Sequence, residues 1–184
     1  MSDDLPTPQT VITFWFDELE PAQWWKKDAD LDARIAERFG SLHRRAREAE
    51  LCAWRSTPHG RLAEIIVLDQ FSRNIHRDSA QAFAADGMAL VLAQEAVAGG
   101  HDEELSVNEK AFLYMPYMHS ESRRIHEDAV QLYSTPGLEH NLEFEHKHKV
   151  IIDRFGRYPH RNEVLGREST PEELAFLQQP GSSF

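Results

Sequence analysis

Apolar residues recur along most of this chain at the three- and four-residue spacing of a helix face. Leu31, Ile35, Phe39, Leu42 and Ala46 form one such stripe, with Arg34, Glu37, Arg38, Arg44, Arg45 and Glu48 on the other side. Start and stop signals divide the pattern. Thr7-Pro8, Thr57-Pro58 and Thr170-Pro171 each place a capping hydroxyl before a proline at the first helical position, where a missing N–H costs nothing. Asp28 or Asp30 serves the second helix, Ser79 the fourth and Ser120 the sixth; Ser106 to Glu109 and Thr170 to Glu173 read as capping boxes. Gly99-Gly100 and Gly156 mark helix ends, and Pro116 breaks a helix. Phe14, Trp15 and Phe16 read as core, and Trp24-Trp25 as a connector with anchoring indoles. The sum is an all-α fold of about eight helices. Short connections make sequence neighbours pack antiparallel.

Two features break the apolar faces. Leu62, Ile65 and Ile66 form a buried side, and Asp69 falls on that same side at seven, four and three residues. A buried carboxylate needs partners, and Arg73 follows one turn later. Near the other end, Phe144, Ile151, Ile152 and Phe155 are expected to share the buried face, with His148 pointing inward among them. The helix before it bears Ile125, Ala129, Val130 and Leu132 as its apolar positions.

Charge sharpens the second feature. The 184 residues hold 20 Lys and Arg against 31 Asp and Glu, a formal charge of −11. That surplus of acid opposes general binding to nucleic acid or to an anionic membrane. Yet the stretch from Phe144 to Arg167 holds six basic residues against three acids. After Gly156 it offers Arg157, Tyr158, His160, Arg161 and Asn162 within six residues. Pro159 biases Tyr158 towards an extended backbone. Arginine suits a carboxylate or phosphate, which it holds with two parallel hydrogen bonds. The competing reading is charge balance, in which these arginines neutralise acids elsewhere. His119-Ser120-Glu121 is a third polar stretch, which also reads as ordinary helix-start chemistry. The N-terminus is acidic and polar, no apolar run approaches the ~18 residues that span a bilayer, and Cys52 is alone. These observations lead to the expectation of a cytoplasmic protein without a disulfide. No zinc, calcium or phosphate-loop signature is present, so no metal ligand is assigned and the sequence names no cofactor.

Several long motifs resemble one known family. They are LDQFSRNIHR from Leu68 to Arg77, MPYMHSES from Met115 to Ser122, and HKVIIDRFGRYPHRNEVLGR from His148 to Arg167. The Phe14-Trp15-Phe16 opening, Trp24-Trp25 and the Ala82–Asp86 segment match as well. The chain is similar over nearly its whole length to the bacterial family catalogued as domain of unknown function 924. The resemblance implies an all-α, tetratricopeptide-like helical array and brings no reaction, substrate or cofactor. It marks Gln70, Ser120, Arg154 and Arg167, besides the residues assigned below, as family-pattern positions. Ser72 stands where the pattern has Pro, His76 where it has an aromatic ring, and Tyr117 and Tyr158 where it has Phe.

The expectation is a single domain over 1–184 with frayed tails at 1–6 and 179–184. A polar pocket for a small anionic ligand is expected to be lined by Asp69, Arg73, Asn74, Arg77, His119, Glu121, His148, Arg157, His160, Arg161 and Asn162. A hydrolase or transferase using His148 or His119 as base, with Glu121 or Asp69 orienting it, is the first alternative. A protein-interaction scaffold is the second. Oligomeric state is not written in the sequence.

Overall fold

Five α-helices begin where the capping chemistry places them. In the computed structural model, which describes residues 5–184, the α-helices are α1 (Pro8–Thr13), α2 (Ala29–Arg47), α3 (Pro58–Ile66), α4 (Ser72–Ile75), α5 (Asp86–Ala98), α6 (Val107–Leu113), α7 (Met115–Met118), α8 (Arg123–Tyr133), α9 (Glu139–Phe155) and α10 (Pro171–Leu177). The fold is all-α, and no strand occurs among the described residues. Thr7, Asp28, Thr57, Ser106 and Thr170 each accept a backbone N–H at a helix start. Most of the N-terminal segment expected to fray lies outside the described residues.

The chain forms two compact units. The first comprises residues 1–77 and 81–116, the second 78–80 and 117–184. In the first unit α1 packs on α3, α2 on α4, and α3 on α5 and α6. Leu31, Ile35, Phe39, Leu42 and Ala46 are all buried, as their spacing predicts. Two wide π turns interrupt the helices, at Phe14–Glu18 after α1 and at Val67–Phe71 after α3. The second is buried at all five residues, Asp69 included. Trp15, Phe14, Phe39 and Phe71 meet there as one ring cluster, with centroid separations from 4.8 to 6.0 Å. Trp24 ties to it by donating its indole N–H to Trp15 O, whereas Trp25 is exposed.

In the second unit α8 lies along α9, and α10 packs on a 3₁₀ turn at Pro159–Arg161. Ile151, Ile152 and Tyr158 form the core there, with Phe155 and Phe176 against it. Gly156 ends α9 at φ 69°, a left-handed conformation that costs glycine nothing.

Four local expectations are corrected. Phe144 is exposed, and Glu145 takes its place on the buried side of α9. On α8 the fully buried residues are His126, Ala129 and Tyr133, while Ile125, Val130 and Leu132 are only half-buried. Ser122, not Ser120, is the N-cap of α8, and the Ser120 hydroxyl instead accepts from Ser122 N. Ser79 is followed by a 3₁₀ turn at Ala80–Phe83, and α5 starts only at Asp86. Pro116 sits at the second position of α7, where no intrahelical N–H is required, so it begins a short helix after the break.

Candidate functional site

The residues expected to line a site divide between the units. In the first, Asp69, Arg73, Asn74 and Arg77 lie on or after the π turn, each engaged with a partner of its own unit. Asp69 accepts from Gln70 at 2.7 Å and stands 3.2 Å from Arg73. Arg73 clamps Asp86 with bonds of 2.9 and 3.0 Å. Asn74 and Arg77 both donate to Asp32, at 2.8 and 2.7 Å. Burial pulls the Asp32 carboxyl upward, but the Arg77 and Asn74 hydrogen bonds outweigh it and leave it below its usual range.

The second unit holds His119, Glu121, His148, Arg157, His160, Arg161 and Asn162. Three arginines of the basic stretch answer acids. Arg154 pairs with Glu172, Arg157 binds both oxygens of Glu173 at 2.7 Å, and Arg167 binds both oxygens of Glu121 at 2.7 and 2.9 Å. Much of the basic stretch therefore balances charge. Glu121 also accepts from Tyr158 N at 2.7 Å, so it fixes the extended residue that precedes Pro159. Its burial favours the neutral form, yet Arg167 and that N–H hold it below the ordinary carboxylate range.

Glu173 is the second organiser. It accepts from Thr170 N in the α10 capping box, from Arg157 and from Asn162. The Arg157 hydrogen bonds are the main reason its pKa falls from 4.5 to about 2. A depressed carboxylate stabilises the fold fully above its unfolded pKa and loses that contribution as the pH falls through its folded value. Wild type should therefore exceed Glu173→Gln in stability above about pH 4.5, and the difference should shrink from there towards about pH 2. Urea unfolding of both proteins across that window measures it; a difference independent of pH would exclude a charged Glu173 as its source.

Tyr158, fully buried, is the hub of what remains. The Arg161 guanidinium lies over its ring at 4.5 Å. His160, His148 and His126 surround it, with ring centroids at 5.6, 5.8 and 6.3 Å. Its hydroxyl donates to Met118 O at 2.5 Å and lies 3.3 Å from His126 Nε2. The hydroxyl that departs from the family pattern is thus used inside the unit. Arg161 also donates to His119 O at 3.1 Å, which joins the His119 stretch to the loop. His148 donates from Nδ1 to Phe144 O at 2.8 Å, and its face stacks on Phe184 at 3.7 Å. Burial, with His119, His126 and Arg161 nearby, drops its pKa to about 3. Its imidazole is neutral at physiological pH.

Sequence reasoning missed His126 and Glu145. Both are fully buried, and His126 Nδ1 lies 2.6 Å from Glu145 Oε1. His126 Nε2 bonds Ser120 O at 2.8 Å. The signal was available: His126, Ala129 and Tyr133 repeat the 0, 3, 7 spacing of Glu145, His148 and Ile152. Burial raises the Glu145 carboxyl above its ordinary value, against the opposing pull of His126. Among the described residues no group of three or more His, Cys, Asp or Glu is arranged to hold a metal ion. No described helix is long and apolar enough to cross a membrane.

This arrangement defines an all-α protein whose second unit gathers imidazoles and a guanidinium around one phenol. The chain belongs to the family described as bacterial protein of unknown function (DUF924), whose model matches residues 11–181. It is similar to a solved protein of unknown function from Agrobacterium tumefaciens, with 36% identity, a TM-score of 0.88, and coverage of 93% of this chain and 96% of that one. No curated protein matches it significantly.

Proposed function

We propose that the second unit binds a small anionic ligand through the basic side chains around Tyr158. The supporting observation is the convergence of Arg161, His126, His148 and His160 on a single ring. Nitrogen-bearing side chains are brought together on a buried phenol, and the cation among them is an arginine, the residue best shaped for an oxyanion. The contact set is narrower than the eleven residues expected from sequence. Arg161, His148, His160 and His119 are the contacting groups. Glu121, Arg157 and Asn162 position the loop through Arg167 and Glu173.

Binding is favoured over turnover by the state of His148. A general base works best with a pKa near the ambient pH, and burial holds this imidazole far below it, at about 3. Titration of the ¹⁵N-labelled protein with inorganic phosphate tests the reading. Resonances of Tyr158, His148 and Arg161 should shift together and saturate, and Arg161→Ala should weaken binding about tenfold or more, the loss of one charge-assisted contact. Absence of saturable shifts in wild type, or unchanged affinity in a folded Arg161→Ala, would sink it.

A further inference from the structure

The geometry of His148 points to the class of anion: we infer that the site prefers a phosphate group that retains one proton over an anion that carries none. This inference rests on the anion site proposed above and goes further by choosing between the carboxylate and the phosphate that an arginine serves equally well.

Phe144 O can only accept, so the 2.8 Å bond from His148 Nδ1 requires the proton on Nδ1. The bond is built into α9, four residues back along the helix, and does not depend on any ligand. In a neutral imidazole the other nitrogen, Nε2, then presents a lone pair. Phe184 covers a face of the ring at 3.7 Å and 21° from parallel. The lone pair lies in the ring plane, so it points along an edge that the stack does not cover. The Tyr158 ring lies 5.8 Å away, at 83° to the same plane.

Arg161 and His148 both pack on Tyr158, and a ligand that reaches the guanidinium and this edge together meets two opposite demands. The guanidinium offers only donors, and the imidazole nitrogen offers only an acceptor. An ionised carboxylate satisfies the first and is repelled by the second. Sulfate behaves likewise, because it has no proton at neutral pH. Hydrogen phosphate satisfies both: two oxygens accept from Arg161 and its P–OH donates to Nε2. A phosphate monoester does the same in its singly charged form, which forms as the pH falls towards its second pKa of about 6. The alternative, protonating His148 to receive a bare anion, works against the burial and the positive neighbours that keep it neutral.

The test compares inorganic phosphate, sulfate and acetate on the wild-type protein at neutral pH and constant ionic strength, by calorimetry and by ¹⁵N shifts of the His148 ring. Phosphate should bind about tenfold or more tighter than sulfate or acetate, a difference of about 1.4 kcal/mol, and Nε2 should keep its unprotonated shift in the complex. His148→Gln, whose amide can turn its NH₂ towards the ligand, should bring sulfate within about threefold of phosphate. If sulfate binds as tightly as phosphate, or if Nε2 becomes protonated on binding, the inference is overturned while the anion site stands. If none of the three anions binds, the anion site itself is wrong and the inference goes with it.

Discussion

Replacing Glu145 by alanine should destabilise the second unit by about 3–5 kcal/mol, whereas Glu145→Gln should cost less than about 1 kcal/mol. The contrast follows from counting protons. His126 Nε2 faces Ser120 O at 2.8 Å, and that carbonyl can only accept, so Nε2 carries a hydrogen. His126 Nδ1 and Glu145 Oε1 are then 2.6 Å apart with one proton to share. Both side chains are fully buried, and burial raises the carboxyl above its ordinary value, which favours the arrangement in which the proton stays on Glu145 and is donated to the Nδ1 lone pair. Glutamine reproduces this bond with its amide N–H and fills the same volume. Alanine leaves Nδ1 without a partner and opens a cavity, and each carries its own penalty. Urea unfolding followed by tyrosine signals of the second unit measures both variants. If Gln costs as much as Ala, the pair is ionised and the proton sits on His126.

The helices of the first unit were legible because their signal is local. Capping hydroxyls, helix-start prolines and the stripe from Leu31 to Ala46 each depend on residues within one or two turns, and each appears in the structure. Asp69 was also legible as a buried carboxylate, since its spacing from Leu62, Ile65 and Ile66 is a fact of sequence. Its partner Arg73 is four residues on and could be named. Asp86 as the second partner of Arg73, and Asp32 as the partner of Asn74 and Arg77, are long-range choices that no spacing encodes.

The candidate site was legible in part for the same reason. The residues from Arg157 to Asn162 stood out by composition alone. Which arginines of the wider basic stretch balance charge depended on acids at positions 121 and 173, distant in sequence. The Phe144 error shows a different limit. Phe144 and Glu145 are adjacent, so the helical face passing through His148 and Ile152 can run through either. Hydrophobicity favoured the ring; the buried imidazole of His126 on α8 favours the carboxyl instead. A polar pair that satisfies itself across two helices is invisible to a reading that scores each helix alone.

Phe71→Ala should lower the stability of the first unit by about 3–5 kcal/mol, the range for emptying a well-packed aromatic site. Phe71 has no exposed surface. Its ring lies 4.8 Å from Phe39, 5.7 Å from Trp15 and 6.0 Å from Phe14, so one truncation removes three ring contacts with the buried area. Collapse around the hole is restricted, because the neighbours come from two separate segments of chain, the turn after α1 and α2. The wide turn at Val67–Phe71 adds to this restriction: it alters the angular phase of the helix so that five consecutive residues face inward, and relaxing it would disturb Asp69 and its bonds to Gln70 and Arg73. Phe71→Leu should recover more than half of the loss, since it restores most of the volume. Val91→Ala on α5 is the control: that side chain is 55% exposed, and away from buried features a surface change stays within about 0.5 kcal/mol. All four tryptophans, Trp15, Trp24, Trp25 and Trp54, belong to the first unit, so their fluorescence in a urea titration reports its unfolding directly. A loss below about 1 kcal/mol for Phe71→Ala would mean that the ring cluster closes over the cavity, and that the wide turn yields where the packing says it is held.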